Sequence, residues 1–178
     1  PWSNCYRAEM RRLFHGAGKA DFAIDFGTAN TRVVSADGGV LFDEPSLCCF
    51  AGRVDAGDLV TAGVAVGPMQ ERTPGDLRIV RPLHRGVLCD IAAARDYLAY
   101  AVRSSVGQRR LRSFRAIIGV PADATNAERS ALLTAANDAG VPNLILVKFD
   151  RAPWRGLLAS LRLASVPTRT AVGFAPKL

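Results

Sequence analysis

Apolar positions along the chain alternate in some stretches, recur at helical spacing in others, and are separated by turn residues. Phe22, Ile24 and Phe26 are spaced two apart, the pattern of a half-buried strand. The apolar run resumes at Val33-Val34 after a short polar turn, which predicts a second strand over 31–36. Gly38-Gly39 marks a hairpin turn into a third strand over 40–50, so the three form an antiparallel meander. Residues 51–80 are rich in Gly, Asp, Arg and Pro and read as a polar loop region with one helix near 62–71. Ile91, Ala94, Leu98, Ala101 and Val102 predict an amphipathic helix over 91–106. A basic loop, Gln108–Arg115, leads to the continuous apolar run Ala116–Val120, a buried strand that Pro121 ends. Thr125-x-x-Glu128 is a capping box, the helix it starts runs to Ala139, and Gly140 stops it at C′. Leu144–Val147 is the last strand. Three strands, a helix, a strand, a helix and a strand make an α/β order, with parallel pairing in its later part.

Composition adds bounds. A chain of 178 residues holds one ordinary domain, or one and a small satellite, and 49% hydrophobic content supplies a real core. No apolar run approaches a membrane-spanning length. The net charge of +7 invites a nucleic-acid reading, but its location argues otherwise. Residues 21–150 carry fourteen basic and fifteen acidic groups; residues 1–20 carry +3 and residues 151–178 carry +5 with no acid. Basic ends suit an anionic membrane surface as well as nucleic acid, and no nucleic-acid recognition motif accompanies them, so nucleic acid is not expected as a partner. Cys5, Cys48, Cys49 and Cys89 form no C-x-x-C pair, and His15 and His84 lie far from metal-ligand spacing. Met10-Arg-Arg-Leu-Phe-His-Gly is too short and too polar for a secretory core segment, so a reducing cytoplasm is expected.

The candidate chemistry lies at the first turn, Asp25-Phe26-Gly27-Thr28-Ala29-Asn30-Thr31. Gly27 lets backbone amides approach an anion, Thr28, Asn30 and Thr31 add short donors, and Asp25 is placed to hold a hydrated Mg²⁺. An ordinary hairpin whose Asp and Thr only stabilise the turn is the competing reading. The stretch resembles the first phosphate loop of the actin, chaperone and sugar-kinase ATPase superfamily, and within it the MreB family of bacterial actins. Further matches follow in the family's order: Asp43-Glu44-Pro45-Ser46, Arg72-Thr73-Pro74-Gly75, Arg81-Pro82-Leu83 with Gly86-Val87 and Asp90, Ile118-Gly119-Val120-Pro121, and Thr125 with Glu128-Arg129. They cover about Met10 to Val147.

The resemblance implies a single actin-like, ribonuclease H-like subdomain over 21–150, with a mixed five-stranded sheet and a small inserted subdomain at about 51–80. A basic extension would precede it over 1–20 and a basic, non-homologous tail would follow over 151–178. It also implies ATP and Mg²⁺ as cofactors, bound by Asp25, Gly27, Thr28, Ala29, Asn30 and Thr31, with Asp25 reaching the metal through water. Family relatives touch the membrane near their start and through the loop before the fourth strand of that subdomain, which here makes Leu13, Phe14, Leu111 and Phe114 lipid-facing candidates. For Leu111 and Phe114, capping of the core is an equal alternative.

The chain departs from the family after Val147. The resemblance puts two carboxylates and a proline next, one carboxylate helping to position attacking water; Lys148 and Phe149 stand there, with Asp150 a weak substitute. No second D-x-G phosphate loop occurs, and phosphoryl transfer needs charges held around the phosphates from both sides. The expectation is a truncated MreB-like protein of cell shape or wall synthesis, peripheral to the membrane, binding nucleotide weakly and hydrolysing it slowly or not at all. The alternatives are an interaction protein that binds or caps full-length filaments without nucleotide, an ATPase completed by a partner, and a gene remnant. In the tail, Leu157, Leu158, Leu161 and Leu163 suit one short basic helix.

Overall fold

Phe22, Ile24 and Phe26 turn inward along β1 (Phe22–Phe26), and the chain reverses over Gly27–Ala29 into β2 (Asn30–Ser35), antiparallel to it with Phe26 opposite Thr31. These elements belong to a computed structural model that describes residues 21–35, 39–52, 57–70, 75–106, 114–121 and 123–149, with Lys148 and Phe149 described by their backbone alone. The basic extension and the tail expected at the two ends lie outside the described residues, as do Leu13, Phe14, Leu111 and Asp150. β3 (Val40–Pro45) completes the antiparallel meander, with a bulge opposite Val33 and Val34.

The expected strand over 40–50 is two strands in two sheets. Pro45 has no N–H with which to continue the ladder. Ser46 instead bends the chain toward the first turn, and β4 (Cys48–Ala51) starts a separate three-stranded sheet with β5 (Asp58–Ala62) and β6 (Leu77–Val80), in the order β5-β4-β6. The helix expected near 62–71 is a 3-10 helix, Gly63–Met69, with Val66 fully buried. β5 and β6 are unpredicted: three of the five residues of β5 are polar or small, and their apolar partners lie across the sheet. A two-residue hairpin, β7 (Leu83–His84) and β8 (Val87–Leu88), comes next. Its turn residues Arg85 and Gly86 are both left-handed, with φ of 51° and 84°.

Helix α1 (Ile91–Val106) starts where the Asp90 carboxylate accepts from the Ala93 amide at 2.9 Å. Its buried stripe is Ala93, Ala94, Tyr97, Leu98, Ala101 and Val102, whereas Ile91 is half exposed in the first turn. β9 (Arg115–Pro121) pairs parallel with β1, and β10 (Asn143–Phe149) pairs parallel with β9. Helix α2 (Asn126–Asp138) carries the expected capping box: Glu128 N–H donates to Thr125 Oγ1, and Thr125 N–H donates to the Glu128 carboxylate. At its end Gly140, with φ of 91°, donates to Asn137 O while Val141 N–H reaches Ala136 O, a Schellman closure.

The main sheet is five-stranded and mixed, as expected, and its strands run in the order β10-β9-β1-β2-β3. One face packs on α1 and α2: Phe22, Ile24, Phe26, Val33 and Phe42 meet Tyr97, Leu98 and Leu132. Tyr97 stacks on Phe26 at 6.0 Å and donates its hydroxyl to Pro45 O at 2.7 Å. Glu44 joins the two sheets. Its carboxylate accepts from Val64 N–H at 3.0 Å and from the Tyr100 hydroxyl at 2.8 Å. Burial, followed by that bond to Glu44, pushes the Tyr100 phenol up to about 12.

Candidate anion site at the first turn

The turn between β1 and β2 is tight because Gly27 N–H donates to Asn30 O at 3.2 Å, closing the loop on itself. A Cβ on Gly27 would stand 2.6 Å from that same carbonyl, so only glycine permits the approach. Every backbone carbonyl of the turn is taken by a protein donor. Gly27 O accepts from Ser46 Oγ at 2.6 Å and Thr28 O from Arg81 Nη1 at 3.2 Å. Ala29 O accepts from Ser46 N–H at 2.9 Å, and Asn30 O from Gly27 as above. Among the described residues no acceptor reaches the amides of Thr28 or Ala29. With carbonyls drawn inward and two amides left over, the turn presents the positive ends of its peptide dipoles, as an anion-binding concavity does.

The side chains predicted to act there divide. Asp25 is half-buried on β1 beside the turn, in register with Arg32 across the pair, and its Oδ1 lies 4.0 Å from where a Gly27 Cβ would be. One carboxylate so placed suits a hydrated Mg²⁺, which leans on few protein ligands. Among the described residues no group of three or more His, Cys, Asp or Glu side chains could hold a metal ion. Thr28 Oγ1 accepts from Gly86 N–H at 2.8 Å, so this hydroxyl retains a proton to donate. Asn30 is exposed, and its amide group points to Asp43 Oδ1 at 3.5 Å. Asp43 also pairs with Arg32 at 2.8 Å.

Thr31 differs from the expectation. It is fully buried, and its hydroxyl meets that of Ser46 at 2.8 Å, so it supports the turn from behind and does not reach its open side. The residues that hold the turn but were not expected there are Ser46, Arg81 and Gly86. Their signal was present, since all three fall within stretches matched to the family, but nothing local in the sequence joins them to a turn 19 to 58 residues away.

Two strands away from β1, at the same C-terminal end of the parallel strands as the first turn, Lys148 and Phe149 close β10, opposite Val120 and Pro121 of β9. An open groove of about 100 Å³ lies between the β7–β8 hairpin and the start of α2; Leu83, Val120 and Leu132 form part of its lining. Of the lipid-facing candidates, Phe114 is described. It is half-buried and packs edge to face on Phe22 at 5.9 Å, the core-capping arrangement. Among the described residues no helix is long and apolar enough to cross a membrane.

The sequence model of the MreB/Mbl protein family matches residues 19–152. Over 144 residues the chain is 31% identical to the cell shape-determining protein MreB of Escherichia coli strain K12, an alignment covering 78% of this chain and 41% of that one. It is 33% identical over 170 residues to the Haemophilus influenzae protein of the same name, covering 93% and 45%. Among solved structures it resembles MreB 5 of Spiroplasma citri bound to AMPPNP, with a TM-score of 0.61 and 30% identity over 71% of this chain and 38% of that one. The ADP-bound form of the same protein matches equally, with a TM-score of 0.61. The chain therefore spans less than half the length of these relatives.

Proposed function

The chain belongs to the MreB/Mbl protein family, and from that premise we propose that it serves bacterial cell shape and takes the phosphate end of ATP at the turn Gly27–Asn30. The observation that carries the reading is the inward capture of the four turn carbonyls, which leaves the Thr28 and Ala29 amides for an anion. The nucleotides named for the Spiroplasma citri relative support the same ligand class. In this reading Gly27 gives backbone access, the Thr28 hydroxyl donates to a phosphate oxygen, and Asp25 orients the waters of a bound Mg²⁺. When bound, the metal neutralises phosphate charge. Turnover is slow or absent, because Lys148 and Phe149 stand where the family resemblance puts carboxylates. Phenylalanine cannot polarise water, and lysine serves as a base at neutral pH only after a large downward pKa shift. The proposed partners are an MreB-type filament and the wall-synthesis machinery.

A second reading draws support from Asn30 and Thr31, whose polar groups are engaged within the protein. In it the turn is a structural remnant, and the chain binds or caps a filament without nucleotide. Calorimetric titration with ATP and Mg²⁺ separates the two. The first expects measurable heat from wild type and at least a several-fold weaker signal from Asp25→Ala. Absence of binding by both proteins would leave only the second, and sustained release of inorganic phosphate would refute the inference drawn from Lys148 and Phe149.

A further inference from the structure

Both passages of the chain between the five-stranded and three-stranded sheets run against the same short turn. On the way out, Pro45–Leu47 connects β3 to β4, and Ser46 there sends Oγ to Gly27 O at 2.6 Å and its amide to Ala29 O at 2.9 Å. On the way back, Arg81, the residue after β6, donates to Thr28 O at 3.2 Å. The hairpin that follows adds Gly86 N–H to Thr28 Oγ1 at 2.8 Å. It does so from consecutive left-handed residues, one of them Arg85, a conformation L side chains rarely adopt. Ser46 has one hydroxyl proton, and the Gly27 carbonyl, which can only accept, takes it. Thr31 is therefore the donor across the 2.8 Å contact with Ser46. Thr31 and Ser46 are both wholly buried, so water cannot replace either hydroxyl once it is removed.

We infer that Ser46 and Arg81 are positioning residues for the turn 27–30, with Thr31 behind Ser46, so that the turn keeps its carbonyls inward only while the three-stranded sheet is seated. The small sheet thereby governs whether the anion site is formed, and by linkage an anion on the turn stabilises the seating of the small sheet. For its ligand the inference rests on the phosphate reading above; the shape of the turn is measured separately from the ligand.

Amide hydrogen exchange on the full chain reads that shape. The Gly27 and Ser46 amides are both donors within the turn's bonding, and the Ile118 amide in β9 reports the main sheet. Thr31→Val removes the donor at a buried site that cannot touch a ligand, and should raise exchange at Gly27 and Ser46 about tenfold while Ile118 keeps its rate. Thr31→Ser should restore wild-type rates. Val66→Ala loosens the cluster of Leu47, Cys49 and Val66 between the small sheet and the 3-10 helix, changes no residue of the turn itself, and should raise the same two rates. Unchanged exchange at Gly27 and Ser46 in either Thr31→Val or Val66→Ala overturns the inference. A titration with inorganic phosphate separates its failure from that of the phosphate reading. If wild type takes no phosphate, the phosphate reading falls and the exchange rates still decide the positioning role. If wild type and Thr31→Val bind phosphate equally, the positioning role falls.

Discussion

Gly63→Ala tests the junction between the two sheets, because its cost has two separable parts. Gly63 has φ of 69°, and a Cβ there would lie 1.8 Å from Glu44 Oε2 and 3.0 Å from the Tyr100 ring. The backbone part is the left-handed conformation, about 1 kcal/mol for an L residue. The second part is displacement of the Glu44 carboxylate from Val64 N–H and the Tyr100 hydroxyl. Bonds to a charged acceptor are worth about 1.5–3 kcal/mol each, but the displaced carboxylate regains water, so a net loss of about 2 kcal/mol is expected. The sum, about 3 kcal/mol, corresponds to a melting temperature lower by about 6–12 °C in a chain of this size. Urea or thermal unfolding of wild type, Gly63→Ala, Glu44→Ala and the double variant measures it. In the Glu44→Ala background the cost of Gly63→Ala should fall to about 1 kcal/mol, the backbone part alone. A cost that stays near 3 kcal/mol in that background would refute the assignment to Glu44, and a single variant melting like wild type would refute both parts.

Gly27→Ala should lose phosphate binding and cost about 1–3 kcal/mol, the range for forcing a methyl against fixed structure, since its Cβ meets the Asn30 carbonyl at 2.6 Å; calorimetry and urea unfolding report the two effects. Tyr100, raised from 10.0 to about 12 by burial and by its bond to Glu44, favours folding while protonated. That contribution is complete below the ordinary phenol value and is lost as pH rises through about 12. Tyrosinate absorbance and the urea midpoint followed together above pH 10 should show it, with a shallower fall in Tyr100→Phe.

Elements specified by neighbours in sequence are legible in the sequence itself. The capping box at Thr125 and Glu128, the Gly140 stop, and the alternation of Phe22, Ile24 and Phe26 are set within a few residues and appear as expected. The break at Pro45 was hidden because apolar residues continue on both sides of it, and hydrophobic pattern alone cannot tell one long strand from two short ones. β5 and β6 escaped for the opposite reason: Asp58, Thr61 and Arg78 dilute their pattern, and pairing with β4 makes them strands. At the turn, the sequence indicated the residues that form it but not those that shape it. Thr31 looked like a ligand group because its type is right. Its position on β2, two before Val33, sends it inward instead.

Cys48 and Cys49 are adjacent and both fully buried, yet they belong to different interiors: Cys48 lies in the core beneath the helices, Cys49 in a second cluster with Leu47 and with Val66 of the 3-10 helix. One strand thus serves as a party wall, plastered with hydrocarbon on either side. The inserted piece is consequently no detachable ornament, since lifting it away would strip a face from the larger body. A substitution in the wall must suit both rooms, a demand that the rims and loops escape.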